Sequence, residues 1–304
     1  MIKIILILLL VILCVLISIS YKCLMLIVKP GGKSKEQTRK QEIDNGFSDA
    51  IEDYENKWHK EAFTLERDNA VLYGEFIENP SGENKVAIIA HGHTANRYNS
   101  IKYAKMFYEA GYQIVLYDER SFGESTGDYS TLGEKESKDL AAIIDMVNEK
   151  YHDPKIILHG ESMGAATVLL VNRYRKVDKI IADCPFCDSD MLFGEFVVKN
   201  LHIPKLFITP ILNRLALLLY HYHIKETSPI KAIENCDVPI CFIHGTSDNL
   251  IGPHHSKAMY DAVRNKDSEL HLFEGADHAQ SVVKDPERYK QIIRNFISKQ
   301  TQQH

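Results

Sequence analysis

Hydrophobic and polar positions divide the chain into three stretches of different character. Residues 4–20 are uncharged and mostly apolar, residues 30–57 are mainly polar, and beyond them short apolar runs alternate with amphipathic stretches. These patterns predict a transmembrane anchor over residues 1–29, a polar basic tether over residues 30–57 and a folded domain over residues 58–304. Within the tether, the pattern near Phe47–Tyr54 favours a helix.

Eight apolar runs in the body have the length and composition of β-strands, and a turn is expected at Pro80–Asn84. The predicted strands lie at residues 63–68, 70–80, 85–92, 112–119, 155–160, 179–186, 239–245 and 269–275. The predicted helices lie at residues 103–110, 134–149, 164–174, 257–264 and 287–298. Because the last five strands are nearly continuously apolar and alternate with helices, we expect an α/β fold with a doubly wound, mostly parallel sheet.

One stretch interrupts this alternation. Asp188 to Asp237 separates two predicted strands by about fifty residues, far more than a simple crossover requires. Its apolar content predicts two or three helices with breaks near Pro204 and Pro210. We interpret residues 188–237 as a helical cap over a pocket, and an extra pair of packing helices is the alternative.

The apolar leader is long enough to span the hydrocarbon core of a bilayer. Ser18–Ser20 is a small-x-small triplet that a signal peptidase could cut, but Tyr21 and Lys22 follow it and apolar residues then resume. This order favours an uncleaved single-pass anchor. Lys and Arg residues between positions 22 and 40 favour a body on the cytoplasmic side, although exported proteins also begin with a short tail before an apolar stretch.

Composition and charge narrow the classes of partner. The chain is 45% hydrophobic and 25% charged, which is typical of a folded protein rather than a disordered or fibrous one. Its net charge is −5, whereas residues 1–40 carry seven Lys or Arg and a single Glu. An acidic body excludes nucleic acid as an expected partner, and a basic collar beside an apolar segment suits an anionic membrane surface.

Six cysteines in 304 residues do not form a disulfide scaffold. Cys184 and Cys187 have the spacing of a redox pair, but they follow an apolar strand and no second pair accompanies them. We expect buried, inert thiols in a reducing compartment.

The sequence Gly160-Glu-Ser-Met-Gly164 lies between a predicted strand and a predicted helix. Glycines at both flanks allow the strand to turn sharply into the helix, which lifts the Ser162 hydroxyl into the open at the edge of the sheet. Ser162 is therefore the candidate nucleophile.

A serine nucleophile needs a base and an acid that orients the base, expected in the chain order Ser, Asp, His. Asp248 follows the strand at 239–245, and His278 follows the strand at 269–275. Both thus lie in loops at the carboxyl edge of the parallel sheet, where such folds bind ligands. We predict a catalytic triad of Ser162, His278 and Asp248.

Neighbouring residues offer alternatives for two of these roles. Asp277 is adjacent to His278, but adjacent side chains in a loop seldom face each other. His254 and His255 lie at an expected helix start, where capping or solvated roles are common. His159 precedes the nucleophile within a strand and is expected to be a core histidine.

The segment His91-Gly-His-Thr-Ala-Asn96 ends a strand and precedes a helix. Acyl transfer needs two N–H donors for the developing oxyanion. We expect the backbone N–H groups of His93 and Met163 to form this oxyanion hole, with the side chain of His93 free to line the pocket.

These motifs, in this order, resemble a serine hydrolase of the α/β-hydrolase superfamily over roughly residues 61–300, in the branch of serine aminopeptidase-like lipases, esterases and acyl-thioester hydrolases. The segments that carry the resemblance are HGHTAN at 91–96, DERSFGES at 118–125, GESMG at 160–164, HGTSD at 244–248 and GADH at 275–278. The resemblance implies no metal and no organic cofactor, and it implies that Asp118 and Arg120 tie their loop together. Ser121 departs from the Gly or Ala that usually follows the arginine.

Three other classes of function remain alternatives. A metal hydrolase is indicated only by the HxH pairs at 91–93 and 221–223, which lack carboxylate ligands nearby. A non-catalytic binding protein on this fold would be expected to have lost part of the site, and every element is retained. A peptidase differs from an esterase in substrate alone, and an apolar cap on a membrane-held protein favours an acyl ester or thioester over a charged peptide.

Overall fold

We describe a computed structural model of the chain over residues 1–29, 31–82 and 84–299. Pro30 in the predicted tether, Glu83 in the predicted turn and the last five residues of the predicted domain lie outside this range.

The centre of the protein is an eight-stranded sheet with the order β1-β2-β4-β3-β5-β6-β7-β8. The first two strands form an antiparallel hairpin, β2 pairs antiparallel with β4, and all other neighbours are parallel. The strands are β1 (His59–Arg67), β2 (Ala70–Glu78), β3 (Lys85–Ala90), β4 (Gln113–Tyr117), β5 (Lys155–Glu161), β6 (Lys179–Asp183), β7 (Ile240–Gly245) and β8 (Glu269–Phe273).

Helices cover both faces of the sheet, and the central strands are therefore buried on both sides. The helices are α1 (Ile2–Val28), α2 (Lys35–Asp44), α3 (Ser48–Asn56), α4 (Arg97–Glu109), α5 (Glu134–Tyr151), α6 (Met163–Leu170), α7 (Ser189–Leu201), α8 (Lys205–Tyr220), α9 (Pro229–Ile233), α10 (His254–Ala262), α11 (Ser281–Lys284) and α12 (Pro286–Ser298). One core cluster joins α4 and α12 to the sheet, and a second joins α5 and α6 to its other face. The predicted doubly wound, mostly parallel α/β fold is confirmed.

The helix predicted near Phe47–Tyr54 is present as α3. The rest of the segment predicted as a tether differs from that prediction, because it also contains α2 and both helices pack on the fold. The Ser34 hydroxyl accepts a hydrogen bond from the Gln37 backbone N–H and so caps the start of α2. On α3, Ile51 and Tyr54 are buried in the same core cluster as α4. A few apolar residues on one face suffice to dock these helices, although their average composition is polar.

The cap region between β6 and β7 contains α7, α8, α9 and a short 3-10 turn at Ile224–Glu226. The predicted break at Pro204 is present between α7 and α8. The predicted break at Pro210 is wrong, because α8 continues through this residue. Pro210 lies near the start of α8, where the missing N–H removes a single helical hydrogen bond.

The N-terminal helix α1 is long and apolar enough to cross a membrane, and an N-terminal signal sequence would pass the same test. Every residue from Met1 to Val15 is exposed. In contrast, Cys23, Leu24, Ile27 and Val28 are buried in a third core cluster with residues of the cap. The end of α1 is therefore packed into the folded body.

Candidate active site

Ser162 lies at the sharp turn from β5 into α6, with a φ of 56° and a ψ of −113°. A Cβ on Gly160 would approach the Gly164 carbonyl oxygen to 2.2 Å, and a Cβ on Gly164 would approach the Ala90 carbonyl oxygen to 2.3 Å. Both glycines are therefore required by close backbone contact. A hydrogen bond to the neighbouring strand β6 fixes this turn, because the Ser162 N–H donates to the Asp183 carbonyl oxygen at 2.8 Å.

The structure brings the three predicted triad side chains together. Ser162 Oγ lies 2.9 Å from His278 Nε2, and His278 Nδ1 lies 2.7 Å from Asp248 Oδ2. The three residues follow β5, β7 and β8, whose carboxyl ends meet at one edge of the sheet. This geometry allows His278 to take a proton from the serine while Asp248 orients the ring.

Asp248 is held as a carboxylate. Its Oδ1 accepts hydrogen bonds from the backbone N–H groups of Leu250 and Ile251 at 2.9 and 2.8 Å, and its Oδ2 lies 3.2 Å from His244 Nε2. Burial opposes ionisation, but the hydrogen bonds from His244 and His278 outweigh it and keep the pKa of Asp248 well below its usual range. A fixed negative charge therefore faces the imidazole.

The environment of His278 favours its charged form. Burial alone would lower the pKa of His278, but the hydrogen bond and the charge of Asp248 raise it above the ordinary histidine value, with smaller contributions from Glu161 and Asp183. The imidazole thus becomes a neutral base only above this raised pKa. Once it has accepted a proton, the same carboxylates stabilise the imidazolium.

The two predicted oxyanion donors lie beside Ser162. Met163 is the first residue of α6, so its N–H has no partner within the helix. The loop that contains His93 passes close to Ser162, because a Cβ added to the preceding residue, Gly92, would stand 3.6 Å from Ser162 Cβ. Among the described residues, neither the His93 N–H nor the Met163 N–H donates to another backbone or side-chain group.

Sequence reasoning missed the role of the His93 side chain. Its Nε2 donates a hydrogen bond to the Ile27 carbonyl oxygen of α1 at 3.0 Å. The next part of the same loop is held by a hydrogen bond from the Lys33 N–H to the Thr94 carbonyl oxygen at 2.8 Å. Two contacts from the N-terminal region thus support the loop that carries the His93 N–H.

Ser162 opens into an apolar cavity of about 190 Å³. His93 and Met163 line the cavity next to Ser162, and no Asp or Glu is among its lining residues in the described chain. The apolar wall is formed by α1 (Cys23, Leu26, Ile27), the cap (Leu192, Phe193, Phe196, Val197, Leu212) and loops around the sheet edge (Leu132, Phe186, Leu250, Ile251). Such a cavity can accommodate a hydrocarbon chain next to the serine.

A buried network of charges and hydroxyls lies under Ser162. Glu161 accepts a hydrogen bond from the Tyr103 hydroxyl at 2.6 Å, and Asp183 accepts one from the Tyr289 hydroxyl at 3.0 Å. Burial and the charge of Glu161 raise the pKa of Asp183 to about 7. Lys102 Nζ lies 3.4 Å from Glu161 and 3.2 Å from Glu42, which belongs to α2.

Replacing Lys102 with methionine is expected to lower the free energy of unfolding by about 3–5 kcal/mol. The change leaves the carboxylates of Glu42 and Glu161 buried without their shared cation. Urea unfolding of the full-length protein in detergent, followed by the fluorescence of the single tryptophan Trp58, measures the loss.

The matched control for this prediction is Lys105→Met on the same helix. Lys105 Nζ pairs with Asp49 and Asp53 near the surface, at 2.8 and 2.6 Å. Its loss is expected to cost about 1 kcal/mol, because the group reaches the surface at Asp49 and is partly screened by solvent. Equal losses for the two variants would contradict a buried ion network beneath the site.

The residues considered as alternatives occupy other positions. Asp277 Oδ1 accepts hydrogen bonds from backbone N–H groups, including that of His278, rather than contacting the imidazole. His254 and His255 begin α10, as predicted, and both rings contact Glu195 of the cap. His159 is a buried core histidine, as predicted, with Nε2 2.9 Å from the Tyr289 hydroxyl.

The paired cysteines and the first HxH pair lie outside the arrangement of Ser162, His278 and Asp248. Cys184 and Cys187 are buried free thiols, as predicted, and burial raises the pKa of Cys187 to about 11. In the first HxH pair, His91 Nδ1 donates to the Gly92 carbonyl oxygen and Nε2 accepts from the Glu119 N–H. A different group could offer ligand atoms to a metal, namely Glu195, His254 and His255, whose atoms lie within 4.8 Å of one another.

Charged residues of the loop after β4 fix this loop to the neighbouring helices α4 and α5. Asp118 accepts hydrogen bonds from the Arg97 backbone and guanidinium, both at 2.6 Å, and from the Glu124 N–H. Arg120 forms two hydrogen bonds to Asp139 of α5 at 2.6 and 2.7 Å. These contacts agree with the structural role expected of Asp118 and Arg120.

The fold and the arrangement at the sheet edge define an α/β-hydrolase. The model of the serine aminopeptidase S33 family matches residues 82–233, half of the chain, and that of the dienelactone hydrolase family matches residues 207–295. The chain belongs to the serine aminopeptidase S33 family.

Relatives and solved structures extend this similarity over most of the chain. The uncharacterized protein YqkD of Bacillus subtilis is 31% identical over 289 residues, which is 92% of each chain. The uncharacterized membrane protein YNL320W of Saccharomyces cerevisiae is 26% identical over 195 residues, which is 63% of each chain. The Pyrococcus furiosus esterase Pf2001 matches with a TM-score of 0.65 and 21% identity, covering 82% of this chain and 94% of the esterase.

Proposed function

We propose that the protein is a membrane-anchored serine hydrolase that cleaves carboxylic esters or thioesters of acyl substrates. The observation that carries the proposal is the hydrogen-bonded series Ser162, His278 and Asp248, with distances of 2.9 and 2.7 Å, opening into an apolar cavity. A base positioned by a carboxylate next to a serine is the arrangement that acyl transfer requires.

In the first step, Ser162 Oγ attacks the substrate carbonyl while His278 Nε2 accepts the hydroxyl proton. The negative charge that develops on the carbonyl oxygen is stabilised by the N–H groups of His93 and Met163. The tetrahedral intermediate collapses as His278 returns the proton to the leaving alcohol or thiol, and the acyl group stays on the serine.

In the second step, water attacks the acyl-serine ester. His278 accepts a proton from the water, and the same two N–H groups stabilise the second intermediate. Collapse releases the carboxylic acid, and the proton on His278 returns to Ser162 Oγ. Asp248 keeps its charge throughout and stabilises the imidazolium.

An aminopeptidase is the second candidate, because the family carries that name. The cavity favours an ester, since an aminopeptidase needs a carboxylate to bind the free α-ammonium group and the described lining residues include none. The apolar wall instead suits an acyl chain.

The packing of α1 supports an uncleaved anchor. Cleavage after Ser20 would remove Ser20 itself, which is buried and whose hydroxyl donates to the Ile208 carbonyl oxygen of the cap at 3.4 Å. We propose that α1 remains as a single-pass anchor, with the basic residues around positions 22–40 favouring the cytoplasmic side for the body.

Labelling with an alkyl fluorophosphonate, which phosphonylates activated serines, tests the proposed function. The full-length protein in detergent is expected to form one adduct that maps to the peptide containing Ser162, and Ser162→Ala is expected to form none. Ser125→Ala is a suitable control, because the Ser125 hydroxyl is bonded to the Asp118 carbonyl oxygen away from the triad. A folded wild-type protein that forms no adduct would favour the binding-protein alternative.

A further inference from the structure

The helix that would anchor the protein also forms part of the candidate substrate cavity. Cys23, Leu26 and Ile27 of α1 line the same cavity as Ser162. Ile27 is buried, whereas Leu26 is 61% exposed and so lies at the rim. The cavity wall is therefore completed by a segment outside the predicted hydrolase domain.

The position of this segment relative to a bilayer follows from helix geometry. Ile2 to Ser20 corresponds to about 28 Å of helix, close to the thickness of the hydrocarbon core. Leu26 lies about 9 Å further along the axis. If the exposed turns of α1 span a membrane, the rim of the cavity lies at its surface.

The cap helix α8 extends the same apolar surface. The Ser20 hydroxyl contacts the Ile208 carbonyl oxygen at 3.4 Å, and the Tyr220 hydroxyl contacts Met25 Sδ at 3.7 Å. Both helices therefore run in the same direction, with the start of α8 beside the membrane-proximal part of α1. There Leu206 and Phe207 are 73% and 52% exposed, as expected for side chains that meet lipid.

We propose that the last two turns of α1 are a wall of the acyl-binding site and give the enzyme a preference for long acyl chains that reach the serine from the bilayer. This inference rests on the proposed function. The hydrogen bond from His93 to the Ile27 carbonyl oxygen fixes this wall to the loop that carries the oxyanion donor. Leu26 is thus a specificity-determining residue at the mouth of the site.

The rates at which Ser162 reacts with ethyl and dodecyl fluorophosphonates test this inference. The full-length protein is reconstituted in phosphatidylcholine vesicles, and the wild type is expected to react faster with the dodecyl probe. Leu26→Trp is expected to slow the dodecyl reaction about tenfold, because bulk at the rim obstructs the chain. Its reaction with the ethyl probe is expected to stay within about twofold of wild type, because the triad is untouched.

Leu10→Trp is the matched control, since Leu10 is also 61% exposed on α1 but does not line the cavity. It is expected to change neither rate. If Leu26→Trp changes both rates equally or neither rate, the inference is overturned. If the wild type reacts with neither probe, the proposed function itself is overturned.

Discussion

Replacing His278 with alanine is expected to lower kcat for hydrolysis of an acyl ester by about 10⁶-fold. His278 Nε2 lies 2.9 Å from Ser162 Oγ, and without the imidazole no described side chain in this geometry accepts the serine proton. A serine hydroxyl that keeps its proton is a weak nucleophile at neutral pH. Hydrolysis of a p-nitrophenyl acyl ester by the full-length protein in detergent measures the loss.

Two comparisons make this prediction specific. His254→Ala removes an exposed imidazole whose Nε2 contacts Glu195, and we expect it to keep kcat within about twofold of wild type. The double variant Ser162→Ala/His278→Ala is expected to be no slower than either single variant, because residues that act as one unit are not additive. Losses that multiply in the double variant would show that the two residues act separately.

The sheet and the meeting of Ser162, His278 and Asp248 were predictable from the sequence because their signals are local. Each buried strand is a continuous apolar run. The turn at Gly160–Gly164 is marked by two glycines, because the backbone atoms packed against them leave no room for a side chain. Asp248 and His278 each follow such a strand directly. Once the strands are recognised as parallel, their carboxyl ends must share an edge, so the chain order of the motifs is enough to bring the three side chains together.

The N-terminal region was predicted less well, since its packing depends on contacts far apart in the chain. Composition identifies the residues between α1 and the body as polar, but it cannot show that Ile51 and Tyr54 are buried against α4. Nor can the apolar character of α1 distinguish its exposed turns from the turns that contain Cys23 and Ile27. Both sets of residues have the same hydropathy and differ only in their neighbours.

The buried ion network could not be predicted from the sequence either, because it also depends on contacts between residues far apart in the chain. Glu42, Lys102 and Glu161 are separated by about sixty residues at each step, and nothing around them in the sequence indicates a pairing. Helix patterns normally place such charges at the surface. Here the network joins α2 to β5, the strand that directly precedes Ser162, so the N-terminal region supports the candidate site through charge as well as through the His93 loop.

Replacing Asp248 with asparagine is expected to lower kcat by about 10⁴-fold while leaving the fold intact. The carboxylate accepts a hydrogen bond from His278 Nδ1 at 2.7 Å, which leaves Nε2 free to accept the serine proton. An amide nitrogen in this position would instead donate to Nδ1 and place the imidazole proton on Nε2. The imidazole would then point a proton at Ser162 and could not act as its base.

Asp277→Asn is the matched control, because it makes the same chemical change in the residue next to His278. Asp277 Oδ1 accepts hydrogen bonds from the backbone N–H groups of His278 and Asn249 at 2.8 and 3.2 Å. An asparagine carbonyl oxygen accepts the same bonds, so we expect kcat to stay within about threefold of wild type. A large loss in Asp277→Asn with little loss in Asp248→Asn would assign the orienting role to Asp277. Similar large losses in both would show that the charge around His278, rather than one hydrogen bond to its Nδ1, sets the rate.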